Sequence, residues 1–421
     1  MPHPPTGRAA WYALAMFTLM YVANNIDRSI MSILIEPVRH EFGLSDSQLG
    51  LLTGMAFAFT YALVGIPIGY LIDRVNRRNL LSSVMVVWSV ATMLCGLAQN
   101  FATLVMARLA VGAAEAGGAP AAMSLIADFF HPRRRSLALS IFWSSTALGT
   151  AVSFIFGSVI AVEYGWRAAF FIAGAPGLVL ALIMVCTIRE PLRGGMDETP
   201  VTPASAGPSL ADTCRYICRR RHLLHALIAL GMASVMLSGL LVWAVSFFVR
   251  EHGLALANAG MIVGFSVAGF GALGSLLGGV TGDFAYKRWG LQRLPFLAAA
   301  TTLLAALAAV WMALSGSLIV AIAALILFEL VSRSYTAPGY NFLMSNMPAQ
   351  MRGVVVSVVQ AITNLIGYGL GPLLVGVISD ATGSLRFGIF ALGIIGVWVS
   401  LHFYWAGAAY RRIETGGESP C

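Results

Sequence analysis

The feature that most restricts the fold of this chain is a succession of long apolar segments that covers nearly its whole length. Twelve segments reach about the 20 residues that a helix needs to cross a bilayer. They lie at 10–35, 46–72, 79–99, 102–128, 137–161, 167–188, 223–249, 257–282, 293–315, 317–345, 353–379 and 385–409. The sequence therefore predicts an all-α integral membrane protein with twelve transmembrane helices.

The composition excludes a water-soluble fold. Of the 421 residues, 58% are hydrophobic and 10% are charged, and the mean hydropathy is +0.81. A soluble domain carries about 25% charged residues. The alternation of apolar and polar residues that marks a barrel strand is absent. The first segment is too long for the apolar region of a signal peptide and lacks a convincing cleavage site, so we expect it in the mature protein.

Positive charges between the segments predict the orientation of the chain. With both termini in the cytoplasm, 19 of the 26 Lys and Arg residues fall on the cytoplasmic side, four fall outside and three lie within segments. Lys and Arg accumulate in this way on the cytoplasmic side of membrane proteins. The net charge of +8 therefore reflects topology and attraction to anionic membrane lipid, and we expect no nucleic-acid partner.

The five cysteines do not predict a disulfide framework. Cys95 and Cys186 lie within segments, and the others lie on the predicted reducing side of the membrane. The spacing of Cys214, Cys218 and His222 would place three ligands on one helical face, where they could hold a soft metal. The alternative, which we favour, is an interfacial amphipathic helix. We therefore expect no metal and no other cofactor.

The only long loop divides the chain in two. Residues 189–222 are rich in Pro, Gly, Ser and Thr, which is typical of a flexible linker. The predicted domains are an N-terminal six-helix bundle at 1–188, a cytoplasmic linker with an amphipathic helix at 189–222, and a C-terminal six-helix bundle at 223–421.

The two halves resemble each other in sequence. "GLSDSQLGLLTG" (43–54) aligns with "GLALANAGMIVG" (253–264) at an offset of 210, and 157–174 aligns with 376–393 at an offset of 219. Internal repeats of this kind indicate a secondary transporter with a site between its halves.

Three short segments carry a resemblance to a known family. They read "GYLIDRVNRR" (69–78), "RLAVGAAEAGGAP" (108–120) and "DFFHPRRRSLALS" (128–140). The first resembles the G-x-L-x-D-R-x-G-R-R loop of the major facilitator superfamily, and the second resembles its Arg-and-Gly motif on the fourth helix. The resemblance covers the whole chain and implies two pseudo-symmetric six-helix bundles around a central cavity.

Details of these segments are similar to the Spinster branch of the superfamily, in a bacterial-type member. Asn76 stands where the general loop has glycine, and it occurs together with "DR" in the first segment and "GAAEAGGAP" in the fourth. Animal members of this branch move sphingosine phosphate or lysophospholipids, so the resemblance implies an amphipathic or lipid-like substrate. The Gly-Pro pattern that the family associates with antiport is missing from "GTAVSFIFG" (149–157), which leaves symport and antiport both open.

The loop charges predict a latch that closes the cytoplasmic side. An aspartate at the C-terminal end of a helix is disfavoured by the helix dipole, so Asp73 needs a cation or another helix N-terminus as its partner. The resemblance implies the start of the eleventh segment as that partner, and it implies that Arg74 or Arg78 pairs with Asp128. The predicted latch residues are Gly69, Asp73, Arg74, Arg77, Arg78, Asp128, Arg135 and Asp283.

Six ionisable residues lie within the apolar segments, where charge is costly and usually functional. They are Asp27, Arg28, Arg108, Glu115, Glu329 and Arg333. Glu329 and Arg333 are four residues apart and can satisfy each other, so we expect a structural pair. Asp27 and Arg28 point about 100° apart on one helix, so each needs a partner from elsewhere.

The fourth segment offers one partner of each sign, Arg108 and Glu115, and the small residues around Glu115 permit close approach. The two acids and two bases sum to zero charge only while both acids are ionised, so one proton upsets the balance. We therefore predict that Asp27, Arg28, Arg108 and Glu115 carry proton coupling and substrate gating. Glu115 would pair with Arg28 in one conformation, and Arg108 would hold Asp27. The alternative is a permanent structural quartet.

A second group of side chains could line a cavity that tolerates an amphiphile. The C-terminal half has Leu237 where the offset of 210 places the equivalent of Asp27, so we assign ion handling to the first half. The candidate lining residues are Asn24, Trp243, Tyr335, Tyr340, Asn341, Gln360 and Asn364.

These features together predict a proton-coupled secondary active transporter of an amphipathic small molecule that works by alternating access. We expect a monomer in a bacterial inner (plasma) membrane, with the proton as coupling ion. A transporter of a small organic anion or drug-like solute is the first alternative, and a receptor or channel is the second. An enzyme is not expected, because the chain lacks a nucleophile–base constellation and has no phosphate loop before Lys287, its only lysine.

Overall fold

The computed structural model describes residues 7–72, 74–194, 196 and 209–414. Ten helices in this part of the chain are long and apolar enough to cross a membrane. One of them, Pro132–Thr187, consists of two helices that meet at Gly165, whose φ of 83° is readily adopted only by glycine. Together with Gly7–Ile33, which carries Asp27 and Arg28, they give the twelve predicted helices. The predicted all-α membrane fold is confirmed.

We number the twelve helices in chain order. They are α1 (Gly7–Ile33), α2 (Asp46–Ile72), α3 (Arg77–Cys95), α4 (Phe101–Phe129), α5 (132–164), α6 (166–187), α7 (Arg221–His252), α8 (Leu256–Trp289), α9 (Leu291–Leu314), α10 (Leu318–Ser345), α11 (Arg352–Thr382) and α12 (Leu385–Glu414). Short helices at Ile35–Phe42 and Leu210–Cys218 follow α1 and precede α7.

Two of the helices are broken at equivalent places. The α4 helix consists of Phe101–Glu115 and Gly118–Phe129, and α10 consists of Leu318–Ser332 and Thr336–Ser345. A proline inside a helix clashes with the carbonyl four residues before it and removes one hydrogen bond. Because Pro120 and Pro338 each follow a break by about one turn, they account for both interruptions.

Three π-helical turns interrupt other helices. They are Leu51–Met55 in α2, Ser266–Gly271 in α8 and Thr363–Tyr368 in α11. Such turns re-aim the side chains that follow them and are frequent at functional sites. The turns in α2 and α8 lie close to the repeat-related positions 54 and 264, so the repeat extends to local backbone geometry.

The chain divides into two compact units. Unit 1 comprises Met1–Leu44, Ala56–Ala204 and Ala255–Gly264, and unit 2 comprises Ser45–Met55, Ser205–Leu254 and Phe265–Cys421. Each unit has its own apolar core: the first is built around side chains such as Phe17, Trp88 and Phe142, the second around Leu223, Phe342 and Phe403. The domain boundaries at 188 and 222 stay a prediction.

Each unit includes a short segment from the other half of the sequence, and glycine allows both segments to pack closely. In unit 2, a Cβ on Gly50 would lie 2.6 Å from the carbonyl oxygen of Pro372. In unit 1, a Cβ on Gly260 would overlap the side chain of Ser158. Gly50 and Gly260 are related by the offset of 210, so the repeat places glycine at the same kind of contact twice.

Candidate functional site

The four ionisable residues predicted to act together lie close to one another in unit 1. Asp27 and Arg28 are on α1, and Arg108 and Glu115 are on α4. Asp27, Arg108 and Glu115 are 0%, 1% and 2% exposed, so three of the four groups are withdrawn from solvent. We call these four residues the charge network.

The carboxyl of Asp27 has neighbours of both signs. Glu115 and Arg108 both act on it electrostatically, and the hydroxyl of the buried Thr92 lies nearby. Among the described residues, neither oxygen of Asp27 accepts a hydrogen bond of acceptable geometry. Nη1 of Arg108 instead reaches the main-chain carbonyl of Asp27, at 3.5 Å. Arg108 therefore fixes the position of α1 while it compensates the negative charge beside it.

The carboxyl of Glu115 is also withdrawn from hydrogen bonds. Arg28 exerts the largest effect of any charged group on Glu115, followed by Arg108, and the amide of Asn24 lies nearby. Neither oxygen of Glu115 accepts a hydrogen bond from the residues that the structure describes. Arg28 and Arg108 thus act electrostatically on Glu115 and Asp27, and the predicted pairing of the four side chains stays a prediction.

Aromatic rings hold the two guanidinium groups. The guanidinium carbon of Arg28 lies 4.7 Å from the centroid of Phe57 and 5.8 Å from that of Tyr61. That of Arg108 lies 5.5 Å from Phe57. Cations over aromatic faces gain about 0.5–2 kcal/mol, more when desolvated. Sequence reasoning missed these rings. Phe57 and Tyr61 are four residues apart and therefore share one face of a helix, and this spacing could have indicated an aromatic contact for a nearby arginine.

Small residues allow close packing of the helices around the network, of α4 against α2 and of α5 against α1. A Cβ on Gly112 would overlap the main chain of Phe57, and one on Gly117 would lie 2.8 Å from the side chain of Ile68. On the other side, a Cβ on Gly149 would lie 2.5 Å from the carbonyl oxygen of Val22. The close approach seen here is of α4 to α2, and the predicted approach of α4 to α1 around Glu115 stays a prediction.

A second charged cluster lies in unit 1 at the end of α3 that is predicted to face the cytoplasm. Arg77 is 2% exposed and pairs with Asp128 through Nη1, while its Nε donates to Glu190 at 2.8 Å. The main-chain N–H of Arg78 donates to the other oxygen of Glu190 at 2.8 Å. The buried guanidinium therefore has two carboxylate partners, and this cluster is more extensive than the sequence indicated.

The prediction that Arg74 or Arg78 pairs with Asp128 is wrong for this structure. Asn76 caps α3 by accepting a hydrogen bond from the N–H of Asn79, so Arg77 takes the first helical position. Arg77 points inward, and Arg78 points about 100° away and binds carbonyl groups at the end of α6. Arg74 lies against the ring of Tyr70 at 5.3 Å.

The start of the linker also belongs to this cluster. Nη2 of Arg193 donates to the carbonyls of Ile72 and Val75 at 2.7 and 2.8 Å, and the N–H of Gly194 donates to Asp128 at 3.0 Å. Cations near the last carbonyls of a helix are stabilised by its dipole. Sequence reasoning missed Glu190 and Arg193, because both follow the sixth segment in a stretch that reads as linker.

The other predicted latch residues have different surroundings. Asp73 lies outside the described residues. Gly69 is exposed, and Arg135 donates to the carbonyl of Ala127 at 2.7 Å. Asp283 is exposed and forms no ion pair within the described part of the chain. The role of these residues in a latch stays a prediction.

Unit 2 contains the second intramembrane ion pair. Nη2 of Arg333 lies 3.4 Å from Oε2 of Glu329, so the pairing predicted from their spacing is confirmed. Glu329 is fully buried, and its Oε1 accepts no hydrogen bond among the described residues. The Arg333 side chain is 24% exposed.

The residues predicted to line a cavity are not equally accessible. Trp243 is wrong as a lining residue in this structure, because it is fully buried and donates from Nε1 to the carbonyl of Pro372 at 2.9 Å. The accessibility of the remaining six varies. Asn24 and Tyr335 are buried, Tyr340, Asn341 and Asn364 are partly buried, and Gln360 is exposed.

Cys214, Cys218 and His222 do not lie on one face of one helix. The helix before α7 ends at Cys218, and Arg220 has an extended conformation, so His222 belongs to a new helix. Nowhere in the described residues do three His, Cys, Asp or Glu side chains come together in a group that could hold a metal.

A third polar cluster lies in unit 2, near the end of the helices predicted to face outward. Asp46 accepts two hydrogen bonds from Nη1 of Arg250, both at 2.8 Å, and one from Ser379 at 2.6 Å. Asp380 accepts from the main-chain N–H groups of Asp46 and Ser47 at 2.9 and 2.8 Å, and so binds the start of α2. We call Asp46, Arg250, Ser379 and Asp380 the outer cluster.

Comparison with known proteins agrees with this architecture. The sequence profile of the Major Facilitator Superfamily matches residues 17–372. The chain belongs to the Major Facilitator Superfamily. The family and the fold are those of transporters.

The similar proteins include transporters with different named activities. The chain is 28% identical to an MFS-type efflux pump of Mycolicibacterium smegmatis, over 96% of this chain and 94% of the relative. It is 25% identical to the hexuronate transporter of Bacillus subtilis, over 90% of each. The crystal structure of a bacterial homolog of the human lysosomal transporter Spinster matches with a TM-score of 0.87 and 26% identity, over 97% of this chain and 99% of that one. The resemblance to the Spinster branch is thus confirmed.

Proposed function

We propose that this superfamily member is a proton-coupled secondary active transporter of an amphipathic, lipid-like small molecule that works by alternating access. The observation that carries the proposal is the pair of buried carboxyls in the charge network. All four oxygens of Asp27 and Glu115 lack a hydrogen-bond donor among the described residues. An ionised carboxylate in such a place is costly, and a proton removes the charge.

The arginines set the condition under which these carboxyls take a proton. While Arg28 lies beside Glu115, its charge favours the ionised acid. The rings of Phe57 and Tyr61 also contact the guanidinium of Arg28, and these contacts do not depend on Glu115. Protonation of Glu115 therefore frees Arg28 without leaving the guanidinium unsupported. This exchange is the step by which we expect proton binding to change the conformation of α1 and α4.

The charge balance indicates what the substrate carries. Asp27, Arg28, Arg108 and Glu115 are neutral as a group when both acids are ionised, and they carry one positive charge after one proton is added. A positive network in low dielectric attracts an anionic group. An amphipathic anion, such as a lysophospholipid with a phosphate headgroup, suits both this charge and the aromatic rings beside it. The resemblance to the Spinster branch, which implies a lipid-like substrate, supports the same class.

The proposal is tested in proteoliposomes that contain a pH-sensitive dye. Oleoyl lysophosphatidate is added outside under an imposed pH gradient, and uptake and proton movement are recorded together. Asp27→Asn and Glu115→Gln each keep the shape of the side chain and hold it neutral. We expect both to lower substrate-linked proton movement at least tenfold, because the titrating group is gone, while exchange of lipid without a gradient continues.

The matched control is Glu41→Gln. Glu41 pairs with Arg167 at a 40% exposed position outside the charge network, so this variant is expected to transport like the wild type. If Asp27→Asn and Glu115→Gln still move protons with substrate at the wild-type ratio, the network is structural and the proposal is wrong. Binding of the lipid without any flux would instead indicate a receptor, and flux without proton movement would indicate a channel.

A second candidate function is transport of a small organic anion. The similarity to a hexuronate transporter and the two arginines of the charge network, of which Arg108 is buried, favour it. Galacturonate in the same vesicles distinguishes the two functions, because it has the charge but no apolar chain. Uptake of galacturonate that exceeds uptake of the lysolipid would select the second function.

The orientation belongs to the same proposal. We infer that both termini lie in the cytoplasm of a bacterial inner membrane and that the chain acts as a monomer without a cofactor. The cluster of Arg77, Asp128 and Glu190 would then lie at the cytoplasmic side, where a latch is expected. The positive charges between the helices support this orientation.

A further inference from the structure

The ion pair of Glu329 and Arg333 in unit 2 takes no part in the charge network, so its role is not yet explained. Glu329 is fully buried on α10, and its Oε1 accepts no hydrogen bond among the described residues. Arg333 is its only charged neighbour among the groups that act on it, at 3.4 Å from Oε2. A pair built only for stability would satisfy both oxygens, because each unsatisfied buried acceptor is costly. The long single contact leaves most donors of Arg333 available to another acceptor.

The backbone around Arg333 suits an anion. The α10 helix breaks at 333–335, and its second part, Thr336–Ser345, begins there without a side-chain cap. The N–H of Thr336 donates to the carbonyl of Arg333 at 3.2 Å and Pro338 has no N–H, so it is the positive end of the helix dipole that favours negative charge at this place. Gly271, in the π-helical turn of α8, packs directly against the pair: a Cβ there would lie 2.9 Å from Oε2 of Glu329 and 3.1 Å from Nε of Arg333.

A tyrosine lies near the guanidinium, and two further tyrosines lie near that tyrosine. Arg333 acts electrostatically on Tyr335, and so do Tyr368 and Tyr340. Tyr368 comes from the π-helical turn of α11, so a residue of α11 is a neighbour of Tyr335. A tyrosine hydroxyl can donate to a phosphate or carboxylate oxygen that Arg333 also binds. Arg333 therefore has at least one further donor, Tyr335, close to it.

The internal repeat relates this place to the charge network. The pair Ala337-Pro338 follows the break of α10 as Ala119-Pro120 follows the break of α4, at an offset of 218. The same offset places Arg333 at the position of Glu115. Broken helices of transporters commonly present substrate and ion sites at their interruptions. Unit 1 thus has an acid at this position, and unit 2 has a base.

We propose that Glu329 and Arg333 form an anion-binding site in which the phosphate or carboxylate of the substrate takes Arg333 from Glu329. Glu329 is then left without a cation in a buried place, and it takes one proton from the aqueous phase. The pair is neutral before the exchange and carries one positive charge once Glu329 is protonated, and one negative charge of the bound anion neutralises that positive charge. The inference rests on the proposed function in one respect, which is that the bound anion is the transported substrate.

The test measures binding without transport. The full chain in nanodiscs is titrated calorimetrically with oleoyl lysophosphatidate and with 1-oleoylglycerol, which has the same chain and no phosphate. Titration in two buffers of different ionisation enthalpy counts the protons taken up. We expect the wild type to prefer the phosphate lipid and to take up one proton for each molecule bound.

Two variants separate this role from a structural one. Arg333→Gln should lower the affinity for the phosphate lipid at least tenfold, which corresponds to about 1.4 kcal/mol, and should leave the neutral lipid unchanged. Glu329→Gln should raise the affinity, because the competing carboxylate is gone, and should abolish the proton uptake. A structural pair would weaken binding in both variants. The control is Asp212→Asn, in an exposed pair with Arg215 in the same unit.

Further outcomes separate this inference from the proposed function. Equal binding of the two lipids by the wild type, or weaker binding of the phosphate lipid by Glu329→Gln, overturns the inference. Proton uptake that is lost in Glu115→Gln but kept in Glu329→Gln also overturns it, and it leaves the proposed function intact. Proton uptake lost only in Glu329→Gln supports the inference, even if vesicles show no gradient-driven transport and the proposed function fails.

Discussion

Substitution of Asp46 by asparagine should release the first turns of α2 from unit 2. The Asp46 side chain is 6% exposed and accepts two hydrogen bonds from Arg250, whose side chain is 17% exposed, and one from Ser379. Asparagine keeps one acceptor oxygen and loses the charge. Hydrogen bonds to charged groups contribute about 1.5–3 kcal/mol each, and breaking a buried ion pair costs about 3–5 kcal/mol. We therefore expect a loss of about 3 kcal/mol.

The loss should be local, so the assay is hydrogen–deuterium exchange. Residues 45–55 belong to unit 2 and are held there by the outer cluster and by the packing of Gly50 on Pro372. A loss of about 3 kcal/mol corresponds to roughly a 150-fold increase in the opening constant of this segment, at 1.4 kcal/mol per factor of ten. Amide exchange reports such local opening directly.

The control is Glu41→Gln. The Glu41–Arg167 pair is 40% exposed on both sides, and pairs of this exposure contribute at most about 1 kcal/mol. Exchange in 255–264, the segment that the repeat relates to 45–55, should not change in either variant. The reasoning is wrong if Asp46→Asn changes exchange in 45–55 by less than threefold, or if Glu41→Gln has an equal effect there.

Two further predictions concern the other charged pairs. Hydrogen bonds from Arg167 and then Trp166 hold the pKa of Glu41 below its usual value, so the stabilisation from this pair is present above pH ~4.3 and is lost as the pH falls further. In Glu41→Gln, the part of the fall in unfolding temperature at acid pH that comes from this pair should disappear. If the fall is the same as in the wild type, it comes from other groups. Arg77→Ala should cost about 3–5 kcal/mol by stranding Asp128 and Glu190, and Arg77→Lys should recover part of it; a shift of unfolding temperature no larger than that of Arg215→Ala contradicts this.

Residue type and spacing alone predicted the features that depend on one helix. The membrane fold follows from apolar length, and the pair of Glu329 and Arg333 follows from their spacing of four residues. The charge network was also predictable, because α1 and α4 each carry an acid and a base that are too costly to leave unpaired in lipid. The position of charged residues within apolar segments thus indicated which side chains need one another as partners.

Features that depend on helix phase or on irregular backbone were not predictable. Which of two adjacent arginines reaches Asp128 is decided by the cap at Asn76, since a shift of one residue turns a side chain by about 100°. The break at Arg220 separates His222 from the cysteines before it, although the spacing alone suggests one continuous face. The π-helical turns have no marker in the sequence. Glu190 was missed because the residues around it have the composition of a linker, which gives no indication that its carboxylate binds the buried Arg77.

The internal repeat shows that two halves with the same helical arrangement can differ in the charged residues they carry. The two halves share the glycines that allow close packing, such as Gly50 and Gly260, and the related ion pairs Glu41–Arg167 and Glu251–Arg386, but they do not share the charges of the outer cluster. Where the outer cluster has Asp46 and Asp380, the offsets of 210 and 219 give Leu256 and Ala161. Neither counterpart can form an ion pair, so the segment 255–264 is held in unit 1 by apolar packing and by a hydrogen bond from Ser158 to the carbonyl of Ala257, at 3.4 Å. Apolar packing responds little to a proton or an anion, whereas an ion pair responds to both. The halves of the chain can therefore move alike and still respond to different ligands.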